Sequence, residues 1–199
     1  PDLYNNAKHI PPFAGAGIKK ILTRNDPKDN KLLDELRGDA PAGDGTYGFM
    51  DADDGTKIFY EYWTPRHVHA DRVVVCYHGM AAHSRYFSII ADALTPRGIA
   101  VAVMDYRGHG LSEGLLGDIT DPMPIVADAK KYLRFVRKLF PGVPLFTLGE
   151  SMGGAVSILV NADPPEEISG MVLLAPAVAP AYKVTAPQLL YGLPYALSF

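Results

Sequence analysis

Between residues 72 and 175, apolar runs of strand length take turns with longer segments whose apolar residues recur every three to four positions. The runs at 72–77, 99–104, 144–149 and 170–175 are largely apolar without strict alternation, the pattern of a strand covered on both faces. Residues 84–95 predict a helix with Tyr86, Phe87, Ile90, Ala93 and Leu94 on one face and Pro96-Arg97-Gly98 ending it. Residues 122–140 predict a longer helix with Ile125, Val126, Ala129, Leu133, Val136 and Phe140 as its apolar stripe. Asp121 is placed to cap it, its prolines sit in the first turn where no N–H is missed, and Pro141-Gly142 stops it. Residues 151–162 predict a third helix. Strands alternating with helices imply right-handed crossovers, so the expected fold is α/β, with a mostly parallel sheet flanked by helices. Ahead of this pattern, residues 47–52 and 57–63 flank Asp53-Asp54-Gly55, a turn sequence suited to a β-hairpin.

A chain of 199 residues suits one well-buried domain. The expected organisation is an N-terminal extension over 1–45, with a short helix near Leu32, Leu33 and Leu36, then a core over 46–179 and an apolar segment over 180–199. The net charge of -3 argues against a nucleic-acid partner, because no excess of Lys and Arg is present to neutralise phosphates. Cys76 is the only cysteine, which rules out an intrachain disulfide and a multi-cysteine metal site; inside Val73-Val74-Val75-Cys76-Tyr77 it reads as a small buried hydrophobe. Lack of disulfides fits the cytoplasm and is compatible with a bacterial periplasm. The first residues do not resemble a signal peptide, and no stretch approaches the roughly 20 apolar residues of a membrane helix.

Three motifs follow strands. Gly149-Glu150-Ser151-Met152-Gly153 falls between a predicted strand and a predicted helix, the setting of a nucleophile elbow. A serine hydroxyl is a poor nucleophile unless it is presented to a base and a substrate, and the elbow does so by a tight, strained turn above the sheet. Gly149 and Gly153 supply the small neighbours such a turn demands, Gly154 allows close helix packing, and the helix N-terminus adds partial positive charge. His78-Gly79-Met80 ends an earlier strand. An acyl-transfer enzyme must hold an oxyanion with preorganised N–H donors, and in this layout they are the backbone N–H groups of Met152 and Met80. His78 then shapes the loop and is not the base. The third motif, Asp105-Tyr106-Arg107-Gly108-His109-Gly110-Leu111-Ser112, misses the spacing of a dinucleotide-binding loop and reads as a structural turn near the site. His67 and His69 read as solvated loop residues, since no third ligand has helpful spacing.

Taken in order, these motifs resemble the monoglyceride lipase and lysophospholipase branch of the α/β-hydrolases, over about residues 47–179. The resemblance rests on His78-Gly79 with His83-Ser84-Arg85-Tyr86, on Asp105-Tyr106-Arg107-Gly108-His109-Gly110, and on Gly149-Glu150-Ser151-Met152-Gly153-Gly154. It implies hydrolysis of a small-molecule acyl ester, an acylglycerol or lysolipid, through an acyl-enzyme on Ser151. It also implies Met80 and Met152 as oxyanion donors and no metal or organic cofactor.

One departure stands out. The fold orders its triad as nucleophile, acid, histidine, yet the last histidine here is His109, ahead of the serine. Asp163, Glu166 and Glu167 are the only carboxylates after Ser151, in the loop following the elbow helix, where the family does not carry its acid. The expected fold is therefore an α/β-hydrolase truncated before its last strands, with residues 180–199 as the start of a cap able to meet a lipid surface. Two readings follow. Either a C-terminal remainder or second chain supplies the Asp and His, favoured because a shortened parallel sheet leaves an apolar edge uncovered, or the chain is a non-catalytic relative that binds or scaffolds. A peptide or other acyl compound as substrate is a third.

Overall fold

The computed structural model describes residues 44–66 and 68–178. The expectations for residues 1–43, for His67 and for the cap segment 180–199 fall outside the described residues.

Six strands form one sheet. The hairpin comes first: β1 (Asp44–Asp51) pairs antiparallel with β2 (Lys57–Thr64). Its turn closes through Gly55, at φ +83, and the Asp54 carboxylate accepts the Thr56 N–H at 3.0 Å. Then come β3 (Arg72–Tyr77), β4 (Ile99–Met104), β5 (Leu145–Glu150) and β6 (Gly170–Leu174). The sheet order is β1-β2-β4-β3-β5-β6; the last four strands are mutually parallel and the hairpin joins β4 antiparallel. Strands β3, β4, β5 and β6 thus all end at one edge of the sheet, where the three motifs lie.

The helices are α1 (Ser88–Leu94), α2 (Met123–Leu139) and α3 (Met152–Ala162). The apolar strands β3, β4 and β5 have two covered faces, which split by period 2, whereas Met171, Val172 and Leu174 of the edge strand β6 are exposed, contrary to the covering expected for that run. Val73, Val75 and Tyr77 of β3, with Ala100, Ala102 and Met104 of β4, pack among Ile125, Ala129, Leu133 and Val136 of α2 and Val156 and Val160 of α3. Their alternates Cys76, Val101 and Val103 pack on the other face with Phe87, Ala91 and Trp63. Each fully buried Val, Leu, Ile, Met or Phe among them contributes roughly 1.5–3 kcal/mol of transfer free energy.

Two local expectations need correction. The helix expected over 84–95 is three pieces: a 3-10 turn over Ser84–Phe87, then α1, then a second 3-10 turn over Thr95–Arg97. The Ser84 N–H is taken by the Asp105 carboxylate, and the chain leaves through Gly98 at φ +79. The buried face is also narrower than expected, with Phe87 and Ala91 inside while Tyr86 and Ala93 are exposed. In α2 the stripe is as expected through Val136, with Phe140 just past the helix end and partly buried. The N-cap is Pro122, without a side-chain cap bond, and Asp121 before it accepts the Met123 N–H at 3.0 Å. Tyr132 and Asp128 are buried with the stripe.

Candidate active site

The turn from β5 into α3 passes through Ser151, whose φ is +52 and ψ -117. A non-glycine residue there is strained by about 1–3 kcal/mol and persists only where its surroundings over-determine it. They do so here. The Ser151 N–H donates to the Leu174 carbonyl at 2.9 Å, and the Ser151 carbonyl accepts from Gly154 N–H at 2.9 Å and Ala177 N–H at 2.8 Å. The serine side chain makes no cap hydrogen bond to α3.

The flanking glycines are explained by close backbone approach. A Cβ at Gly149 would run into the Gly153 carbonyl, and one at Gly153 into the carbonyl of Tyr77 at the end of β3. The N-terminus of α3 is thereby pressed against the end of β3. Farther along, Ser157 and Asn161 of α3 both donate to the Thr147 hydroxyl of β5, at 3.1 and 3.0 Å.

That packing brings the loop after β3 to the serine. A Cβ on Gly79 would stand 3.3 Å from the Ser151 Cβ and would collide with the Glu150 carboxylate. Met80 follows with its side chain exposed, and Ala81 adopts φ +59 in a turn closed by the Ala82 N–H and Gly79 carbonyl at 3.3 Å. Met152 opens α3 and is partly buried against the core.

His78 is fully buried and both ring nitrogens are engaged. Nε2 accepts the Tyr106 N–H at 3.2 Å, which leaves the proton on Nδ1, 2.7 Å from the Gly79 carbonyl. Burial pushes the imidazole down to about 4, so it is neutral at ordinary pH. His109 is buried too, with Nδ1 3.1 Å from the Arg107 carbonyl.

The loop after β4 is a knot. Asp105 is buried and accepts the N–H groups of Ser84 and Leu111, the latter at 2.8 Å. Ser112 donates to the Asp105 carbonyl at 2.6 Å and accepts the Phe59 N–H at 2.8 Å. Arg107 makes a bidentate pair with buried Asp128 at 2.8 and 3.0 Å and reaches Asp54 of the hairpin turn at 2.8 Å. These carboxylates hold the guanidinium firmly protonated.

The structure therefore brings Ser151, Met152, Gly149, Gly153, Gly79 and His78 together and gathers Met80 by its place in the chain. Sequence reasoning missed Asp105, Asp128 and Glu150 as participants. A signal existed for one of them: Asp128 lies within the apolar stripe of α2, and a carboxylate there demands a cationic partner. Among the described residues no group of three or more His, Cys, Asp or Glu side chains could hold a metal ion. No described helix is long and apolar enough to cross a membrane.

Comparison with known proteins is consistent with this geometry. The family model described as serine aminopeptidase, S33 (Hydrolase_4), matches residues 68–196. A monoglyceride lipase of Mus musculus is 38% identical over 143 residues, 69% of this chain and 47% of the relative. A monoacylglycerol lipase of Mycolicibacterium smegmatis is 36% identical over 124 residues, 62% of this chain and 44% of the relative. Among solved structures, a soluble variant of monoglyceride lipase from Saccharomyces cerevisiae in complex with a substrate analog aligns with a TM-score of 0.60 at 23% identity, covering 79% of this chain and 51% of that one. The chain spans about half the length of the curated relatives it matches.

Proposed function

The chain belongs to the serine aminopeptidase S33 (Hydrolase_4) family and has the α/β-hydrolase fold, and from that premise we propose that it carries the nucleophile part of a serine hydrolase of carboxylic esters. The observation that carries this reading is Ser151 itself. It holds a strained backbone, clamped by three hydrogen bonds, at a strand-to-helix junction, while its hydroxyl is not used to cap the helix.

In the proposed reaction the Ser151 Oγ attacks the ester carbonyl carbon while a base takes its proton. The oxyanion is held by the backbone N–H groups of Met80 and Met152. Collapse expels the alcohol, which receives that proton, and leaves the acyl group on Ser151. Water activated by the same base then releases the carboxylic acid. No cofactor enters these steps.

The base and its acid come, on this reading, from a C-terminal remainder or second chain. His78 has both nitrogens engaged and His109 is buried in the loop after β4. Strand β6 supports the same view: Met171, Val172 and Leu174 are exposed on a parallel edge strand, and such strands are normally covered. The names of the relatives favour an acylglycerol ester as substrate, whereas the family description names an aminopeptidase.

Reaction of the intact protein with a fluorophosphonate tests the proposal. Label on Ser151, lost in Ser151→Ala, and release of fatty acid from a monoacylglycerol are the expected results. Cleavage of an aminoacyl amide in preference to the ester would shift the substrate class. A folded protein that binds an acyl ester tightly but neither labels nor turns over would establish the non-catalytic alternative.

A further inference from the structure

We propose that His78 is the positioning residue of the oxyanion hole: its bond to the Gly79 carbonyl sets the direction of the Met80 N–H. The inference rests on the serine-hydrolase reading above and adds to it the group that holds a donor in place.

The Gly79–Met80 peptide is planar and trans, so its carbonyl and its N–H point in opposite directions. Whatever fixes the carbonyl aims the N–H. Two groups hold that carbonyl, the His78 Nδ1–H at 2.7 Å and the Ala82 N–H at 3.3 Å. The shorter bond comes from a ring with little freedom to turn. Its Nε2 accepts the Tyr106 N–H, and the Tyr106 ring packs against it with centroids 4.2 Å apart. The tautomer follows from these partners, because an accepting Nε2 requires the proton on Nδ1. Being buried and neutral, the imidazole keeps that tautomer through the neutral range.

The rest of the loop needs such a latch. Ala81 sits at φ +59, a conformation that L residues avoid, so the turn over residues 79–82 does not hold itself. On the far side, a Cβ on Gly79 would stand 3.3 Å from the Ser151 Cβ, so the Gly79–Met80 peptide starts beside the nucleophile. A chain of contacts thus runs from the knot after β4, through the Tyr106 N–H and the imidazole, to the oxyanion donor.

Three variants of the intact protein separate positioning from mere structural support. An asparagine amide at residue 78 reaches about where Nδ1 stands and can still donate to Gly79; a glutamine amide reaches about where Nε2 stands and cannot. Steady-state hydrolysis of a soluble ester, affinity for an alkylboronic acid and thermal melting are measured for each. His78→Leu is expected to lower kcat about 100-fold with KM changed less than about 3-fold, the range for losing one oxyanion donor. Boronate affinity should fall with kcat. His78→Asn should recover kcat to within about 10-fold of the unsubstituted protein, and His78→Gln should not. If His78→Leu does not fold, the Asn and Gln pair decides the matter. Unchanged kcat in His78→Leu, or an equal fall in Asn and Gln that tracks melting temperature, overturns the positioning role while the hydrolase reading stands. An unsubstituted protein that neither labels nor turns over overturns both.

Discussion

Two glycine-rich turns leave the C-terminal ends of parallel strands and treat their polar groups in opposite ways. In the turn after β4, Asp105, Ser112 and Arg107 are bound to backbone N–H groups, carbonyls and carboxylates. In the turn after β5, the backbone of Ser151 is clamped but its hydroxyl caps nothing. The first turn also holds polar atoms with no partner among the described residues, the Tyr106 hydroxyl and His109 Nε2, but these are buried, whereas Ser151 is partly exposed. The difference separates a scaffold from a site. A buried polar group fully bound to the chain stabilises it, whereas strain held by neighbours around an uncommitted hydroxyl is a mark of function.

That contrast can be broken by substitution. Ser151→Ala should reduce ester turnover of the intact protein by about 10^4-fold or more, and leave its melting curve nearly in place, as expected when the nucleophile alone is removed. Asp105→Ala should do the reverse. It strands two backbone N–H groups and should cost about 4 kcal/mol in chemical denaturation, at about 1–3 kcal/mol for each orphaned donor. Turnover per folded molecule should change far less than in Ser151→Ala. Gly153→Ala forces a methyl onto the Tyr77 carbonyl and should cost about 3 kcal/mol by the same measurement, with a fall in activity because the β3 loop is pushed from Ser151.

A pH series adds a subtler test. The His78 imidazole titrates at about 4 when folded, below its ordinary value of 6.5, because burial disfavours its charged form. Between those values the unfolded chain binds a proton that the folded chain refuses, so stability rises with pH through this window. It is complete above about 6.5 and lost as pH falls toward 4. His78→Asn should flatten that limb in denaturation curves measured at successive pH values. The smallest effect belongs to Asp54→Ala: the carboxylate is exposed and Arg107 keeps its bidentate pair with Asp128, so melting temperature should barely move.

Much of this was legible because local chemistry dictates local form. The unbroken apolar runs are strands, the 3.6-residue stripe on α2 is buried, and Asp53-Asp54-Gly55 is a hairpin turn. The helix over 84–95 was misread in part because its start is governed by Asp105, 21 residues away, and no local pattern announces that bond. Asp105 itself looked like one of several polar residues in a glycine-rich loop. Its role depends on which N–H groups the fold brings to it.

By itself, the sequence determined the alternation of strands and helices, the glycines beside Ser151 and the order of the three motifs, since these follow from periodicity and from the space a side chain occupies. Only the tertiary structure decided the sheet order β1-β2-β4-β3-β5-β6, which sets the ends of β3 and β5 side by side. It also decided that Gly79 lies against Ser151 and that the His78 ring is bound at both nitrogens. Those are contacts between residues distant in the chain. Their geometry is set by close packing across the sheet, which no window of sequence contains.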